Sequence, residues 1–341
     1  MSVLHLLGTA GEGGAETYFV DLVTGLARAG VSQAAAIRPN ANRQAALAAA
    51  GVPTETFRFG GPIDILTKSQ VAGFARRNDV KLALAWMNRA ARHTPKGPVR
   101  IGRLGGYYNL KYYRGFDELV ANTEDIAEWI VGQGWPAGKV RCIPNFAAAP
   151  PETAPADRAP LNTPADAPLL LSMGRLHDAK AHDVTLQALT QIPDAFLWIA
   201  GVGPQEAKLK AMAAALGVAD RVRFLGWRTD ASALYRAADV CVFPSRYEPL
   251  GNVVIQAWAH GLPVVAAASQ GPAALLRDGE DGLLVPVDEA EALAAAIARL
   301  LADPMLRIRL VQNGSDRVEA EFSEAAVVAQ WRSLFADYGA A

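Results

Sequence analysis

Twice along this chain, short continuous apolar runs alternate with amphipathic helical stretches, a pattern that leaves little open except parallel sheets covered on both faces. In the first pass SVLHLLG (residues 2–8), SQAAAIRPN (32–40) and VKLALAW (80–86) read as strands, with helices AETYFVDLVTGLARAG (15–30) and RQAALAAAG (43–51) among them. The pattern restarts after residue 168 with APLLLSMGRL, AFLWIAGVGP, VRFLG and LPVVAAA as strands and strand ends. The helices DVTLQALTQI, KLKAMAAALG and NVVIQAWAHG fall between them. At 341 residues the chain exceeds what one core organises, so the two passes predict two domains. The expected divisions are residues 1–147, a Pro- and Ala-rich linker at 148–168, a second domain at 169–320, and a terminal helix at 321–341 packing back on the first domain. Two doubly wound domains facing one another would hold a ligand at the carboxyl ends of their strands.

Composition narrows the setting. No apolar run approaches the ~20 residues of a membrane span. The opening MSVLHLLGTAGEGG breaks into glycines and reads as a buried strand, not a signal peptide. Cys142 and Cys241 stand in unrelated contexts, which argues against a disulfide framework or a cysteine metal site and fits a reducing cytoplasm. The net charge of −1 hides an asymmetry: residues 1–147 hold 17 Lys/Arg and 11 Asp/Glu, the remainder 16 and 23. Residues 76–114 carry ten basic side chains against the single acid Asp79. They read either as a solvated face or as a surface for an anionic acceptor or membrane leaflet.

Three loop segments carry residues suited to a phosphate-bearing ligand. GTAGEGGAE (8–16) follows the first strand, but a Gly-x-Gly-x-x-Gly started at Gly11 puts Glu16 on its third glycine. The second strand ends at Arg38, where a dinucleotide enzyme places an acid for the ribose, so a dehydrogenase is set aside. Gly11, Gly13 and Gly14 remain as bare backbone before a helix, serving either a ligand or a tight turn. MGRLHDAKAHD (173–183) sets Arg175 and Lys180 five apart at a strand–helix junction, where two cations could grip a pyrophosphate. In YEPLGNVVIQAWAHG (247–261) Glu248 precedes a helix on which Asn252, Gln256 and His260 recur every four residues. That stripe is either an exposed polar face or a ligand surface beside the helix N-terminus.

The order Arg-x4-Lys, AGVGP, VRFLGW, EPLGN…QAWAHGLPVVA resembles the nucleotide-sugar-dependent glycosyltransferases of GT-B fold, family 4 (group 1). The resemblance is strongest over residues 171–287 and extends to GEGGAE, ANTEDIAEWI and VRCIPNF. It implies an α/β fold of two Rossmann-like domains across a cleft, and a retaining hexosyltransferase of bacterial lipopolysaccharide, capsule or exopolysaccharide synthesis. By that resemblance Arg175 and Lys180 would neutralise the donor diphosphate, and Glu248, the first glutamate of the family's Glu-x7-Glu, would bind sugar hydroxyls. Gly251, Asn252 and Val253 would approach sugar and phosphates, Gly13 and Gly14 the diphosphate, and Gly226, Trp227 and Arg228 the base. Gln256 replaces the second glutamate, whose usual part is to accept from the ribose; an amide does so without charge assistance. Many relatives also carry a His-Gly segment in the first domain; IGRLGGYYNLKYY (101–113) offers Arg103, Gly105 and Gly106 instead, on the acceptor side. The implied partners are a UDP-sugar, with GDP the main rival, a glycan or lipid-linked acceptor, and an anionic membrane surface, but no nucleic acid. No metal or other cofactor is expected: no Asp-x-Asp ends a strand, and no histidine pairs with acids at zinc spacing. A degenerate transferase serving as a glycan-binding scaffold, or a transferase with a soluble acceptor, are the alternatives.

Overall fold

The computed structural model describes residues 3–11, 13–61, 64–147 and 152–340, so Glu12 of the glycine loop and residues 148–151 of the expected linker lie outside it. Two compact units emerge, one of residues 1–145 with 324–341, the other of residues 146–323.

The first unit runs β1 (Val3–Leu7), α1 (Gly14–Arg28), β2 (Gln33–Ile37), α2 (Ala41–Ala49), β3 (Thr54–Thr56), α3 (Leu66–Arg77), β4 (Leu82–Trp86), α4 (Met87–His93), β5 (Val99–Leu104), β6 (Glu118–Ala121), α5 (Glu124–Gly132) and β7 (Val140–Cys142). Its parallel sheet has the order β3-β2-β1-β4-β5-β6-β7. β1, β2 and β4 are buried along their whole length, which is why they read as apolar runs, interrupted only by His5 and Gln33, and not as alternation. Local chemistry sets the helix starts: Asn40 caps α2 through Arg43 N, and Thr123 caps α5 through Ile126 N.

The second unit runs β8 (Leu169–Met173), α6 (His182–Leu189), β9 (Phe196–Ala200), α7 (Glu206–Ala215), β10 (Val222–Gly226), α8 (Ala231–Ala237), β11 (Val240–Phe243), α9 (Asn252–Ala259), β12 (Val264–Ala267), α10 (Gln270–Leu275), β13 (Leu283–Val285), α11 (Ala290–Ala302) and α12 (Pro304–Arg317). Its parallel sheet is ordered β10-β9-β8-β11-β12-β13. The described part of the Pro- and Ala-rich seam packs within this unit: Thr163 accepts from the buried Trp198 indole at 2.9 Å, and Arg158 bonds Asp239 and the Ala237 carbonyl. The last helix, α13 (Glu324–Asp337), belongs to the first unit, burying Val327, Trp331, Leu334 and Phe335. Ion pairs Arg28–Glu324 (2.6 Å) and Arg141–Asp337 (2.7 Å) fix it there.

In both sheets the strand order reverses beside the first strand, between β1 and β4 and between β8 and β11. In each sheet, the loops leaving the carboxyl ends of those two strands flank the crevice where an open α/β sheet binds its ligand. The GT-B expectation of two doubly wound Rossmann-like domains therefore holds, and it directs attention to those loops.

Candidate functional site

In the second unit, β8 delivers Gly174 and Arg175, a single 3-10 turn (Asp178–Lys180) delivers Lys180, and the segment after β11 delivers Glu248. Lys180 Nζ bonds Glu248 Oε2 and also lies 5.5 Å from the centre of the Phe243 ring. The other carboxylate oxygen faces the amide of Gly251 at 3.3 Å and that of Leu250 at 3.5 Å. Two residues 68 positions apart thus meet at the switch point of the sheet. Arg175 stands exposed on the same loop with no side-chain partner among the described residues, a free fork for an anion.

Close backbone approaches hold these loops. A Cβ on Gly201 would lie 1.8 Å from the Gly174 carbonyl oxygen, and one on Gly203 would lie 2.3 Å from that of Leu176. The two glycines of AGVGP are therefore required for the β9 loop to lie against the Arg175 loop. Gly271, at the start of α10, donates to the Glu248 carbonyl at 2.7 Å, and a Cβ there would sit 2.6 Å from that oxygen. Arg246 ties the rest together. Its guanidinium takes both oxygens of Asp183 (3.0 and 2.7 Å), bonds Asp288, and donates to the Asp178 carbonyl at 2.9 Å. That fork fixes the Lys180 turn to the Glu248 segment. Sequence reasoning passed over Arg246 and Gly271; the one signal was a basic residue two positions before the glutamate.

Helix α9 begins at Gly251, held at φ 88°, which glycine adopts without strain. Asn252 and Val253 form its first turn, and Gln256 is half-buried with no side-chain hydrogen bond among the described residues. The polar stripe ends there. His260 stacks on Tyr235 at 4.7 Å, with its ring nitrogens engaged by the Gln256 carbonyl (2.7 Å) and Ser232 (3.0 Å), so it is a structural residue. At the end of β10, Gly226 turns at φ 66° and presents Trp227, which is 64% exposed, while Arg228 is held by both oxygens of Asp230. His182, at the start of α6, is buried against Ser172 Oγ at 3.1 Å, and burial pushes its pKa down to about 4.

In the first unit, Gly13 caps α1 and Gly14 opens it, directly after β1. The loop is pinned from α2, where the buried Arg43 donates to the carbonyls of Thr9 (2.9 Å) and Gly11 (3.0 Å). Thr9 also donates to Glu16 at 2.6 Å. Arg103, near the end of β5, is 3% exposed. Its guanidinium lies 4.9 Å from the Tyr18 ring centre and 4.8 Å from that of Trp86, and it bonds Asn145 Oδ1. Gly105 leaves room for it, since a Cβ there would meet Arg103 at 2.7 Å. Gly106 begins the turn toward Tyr107 and Tyr108. The ten basic residues of 76–114 are accordingly not one charged face: Arg103 is buried, Arg77 pairs with Glu55, and Arg92 and Lys111 lie over Tyr112.

Among the described residues no three His, Cys, Asp or Glu side chains gather as a metal site, and no helix is long and apolar enough to cross a membrane. The family "Glycosyl transferases group 1" matches residues 153–317. LpsE of Rhizobium meliloti (strain 1021), a lipopolysaccharide core biosynthesis glycosyltransferase, is 41% identical over 329 residues, covering 95% of this chain and 96% of that protein. LpsD of the same organism, of the same description, is 38% identical over 340 residues, covering 98% of each. Among solved structures, Anabaena HepE in complex with UDP has a TM-score of 0.85 at 21% identity, over 99% of this chain and 100% of that one, a likeness of fold.

Proposed function

The chain belongs to the group 1 glycosyl transferases, and from that premise we propose that it moves a hexose-type sugar from a UDP-sugar to a glycan or lipid-linked acceptor in lipopolysaccharide core assembly. The observation that carries this reading is the Lys180–Glu248 contact at the second sheet's switch point, with Arg175 unpaired on the adjoining loop. As the diphosphate enters, Lys180 exchanges one oxyanion for another, and Arg175 adds its fork to the second phosphate. Charge on the departing nucleotide develops between two cations, the electrostatic term that dominates such transfers. Glu248, released from Lys180 but still held by the Gly251 amide, accepts from donor sugar hydroxyls. In the retaining course proposed here the C–O bond to the nucleotide breaks on the face where the acceptor oxygen attacks. The leaving phosphate oxygen takes the acceptor's hydroxyl proton.

No resident metal enters the scheme, so chelation with EDTA should leave turnover unchanged. The acceptor is met at the cytoplasmic face of a membrane, a reading supported by Ile65 (79% exposed) and Leu66 (68%) beside Lys68 at the start of α3. Pelleting with anionic vesicles should fall as salt rises. The central test is a thermal-shift titration with UDP, GDP and ADP, run also on Arg175→Ala. UDP at 100 times its Kd adds ~2.7 kcal/mol of stability, and the variant should lose that response. A response to GDP alone would change the donor. Silence with all three would remove the transferase reading and leave the glycan-binding scaffold.

A further inference from the structure

The carboxyl edge of the first sheet gathers buried polar atoms that find no hydrogen-bond partner among the described residues. Arg103 Nε, Trp86 Nε1, Asn122 Oδ1 and Asn88 Oδ1 are all buried without a hydrogen-bond partner. They gather at one sheet edge: Trp86 and Arg103 are in register on neighbouring strands β4 and β5, Asn88 is the second residue of α4, which follows β4, and Asn122 directly follows β6. Arg103 and Asn122 both reach the space above Gly105, the guanidinium 2.7 Å and the amide nitrogen 3.7 Å from where a Cβ would stand. Buried polar groups are ordinarily satisfied, so four orphans at one strand edge hold hydrogen-bonding capacity that a ligand's polar groups can meet.

The charge of that ligand follows from Arg103. Among the described residues no carboxylate pairs with it; its company is the faces of Tyr18 and Trp86 and one amide oxygen. Burial pushes its pKa below the ordinary arginine value, opposed only by the tyrosines at 18, 108 and 113. A buried cation without a counter-ion is strongly unfavourable, and the remedy is an anion delivered from outside. The neighbouring orphans include an indole donor and two amide oxygens, which suit hydroxyls and not a second anion.

We propose that this edge is an acceptor subsite in which Arg103, with Trp86, Asn88 and Asn122 around it, binds a sugar bearing a carboxylate or a phosphate. The assignment rests on the transferase reading and gives it an acceptor class: an acidic or phosphorylated sugar, gripped through its anion while its hydroxyls meet Asn88 and Asn122. Carboxylate and phosphate share the chemistry that Arg103 recognises, and the test separates them.

The full chain labelled with 15N-arginine is titrated with glucuronate, glucose 6-phosphate and glucose, with and without UDP. The Arg103 Nε–H resonance is assigned by its loss in Arg103→Lys. It should move with one or both acids, at an apparent Kd at least about tenfold below that for glucose. The acid that moves it identifies the anion. Asn122→Asp, a conservative change in shape, places a carboxylate beside Arg103 inside the fold and should weaken the acids at least tenfold. Glucose binding as well as the acids, an Arg103 resonance that neither acid moves at about millimolar concentrations, or full acid affinity in Asn122→Asp would each overturn the proposal. The thermal shift with UDP is read on the same samples. Its absence in the unmutated protein would sink the transferase reading, whereas its presence without an acid response sinks only the acceptor class.

Discussion

Replacing Gly271 by alanine should disable the site without touching any side chain in it. Gly271 lies in the first turn of α10, where alanine is the better helix former by up to ~1 kcal/mol, so backbone propensity favours the change. Contact opposes it. The new methyl would stand 2.6 Å from the Glu248 carbonyl oxygen and 2.7 Å from both N and C of Leu250. All three are main-chain atoms, and restoring ordinary contact requires a displacement of roughly 0.8 Å of the very segment that aims Glu248 at Lys180. Overpacking of this kind costs about 1–3 kcal/mol, and the Gly271 N–H bond to Glu248 O adds ~1 kcal/mol if it is lost. A shift near 1 Å in a positioning group lowers turnover by up to ~10²-fold. The expected result is kcat/KM with the UDP-sugar reduced between ten- and a hundredfold, with a melting temperature lower by up to roughly 10 °C. Gly132→Ala is the control, since a Cβ there meets nothing within 4 Å. Turnover within twofold of the unmutated protein in Gly271→Ala would show that Glu248 is not held through this contact.

Gln256→Glu should lower the donor KM severalfold, because a carboxylate accepts from ribose hydroxyls about twice as strongly as an amide; steady-state kinetics with an unchanged KM would contradict it. Lys180→Met and Glu248→Gln should each lower kcat by at least ~10²-fold, and their effects on the stability of the free protein should be non-additive by 0.5 kcal/mol or more, because the two side chains touch. Strict additivity in denaturant unfolding would deny the pairing. Asp21 on α1 has its pKa raised to about 6 by burial and then by Glu324, with Arg28 opposing. A raised folded pKa contributes stability below the unfolded value of 3.8, and that contribution disappears as pH rises through about 6. Asp21→Asn should therefore match the unmutated protein near pH 4 and exceed it at pH 7.5 by up to ~3 kcal/mol. Equal gains at both pH values in thermal unfolding would refute the assignment.

The chain's double alternation was readable because a strand buried on both faces cannot hide: β4 is an unbroken apolar run, and β1 and β8 are apolar but for His5 and Ser172. β3 was not, since Thr54–Thr56 is a short, partly exposed edge strand with no apolar signature. Arg175, Lys180 and Glu248 were legible as residue types in an order, and the structure brings the last two into contact. What was illegible is what holds them. Arg246 works through Asp183, 63 residues away, and Gly271 through a backbone approach, and neither leaves a local pattern. Arg43 is similar, pinning the glycine loop from a helix that reads as ordinary alanine-rich composition. Counting charge over residues 76–114 also treated Arg103 as one of ten basic side chains, because a one-dimensional count has no burial in it.

Burial separates the two cations most exposed to the question of purpose. Arg175 also has no side-chain partner among the described residues, yet it is exposed, and an unpaired guanidinium at the surface costs the fold little. It can wait for a phosphate. Lys180, Arg246 and Arg228 meet carboxylates within the fold, the usual arrangement for a basic group near a strand end. Arg103 is 3% exposed and meets no carboxylate among the described residues, and cation–π contacts with Tyr18 and Trp86 return only part of its desolvation, ~2 kcal/mol each at most against several for the buried ion. Arg103→Met should therefore leave the stability of the free protein unchanged or raised, which denaturant unfolding checks. Stability measured with and without an acidic sugar is where the two side chains should differ, arginine gaining from the sugar and methionine not.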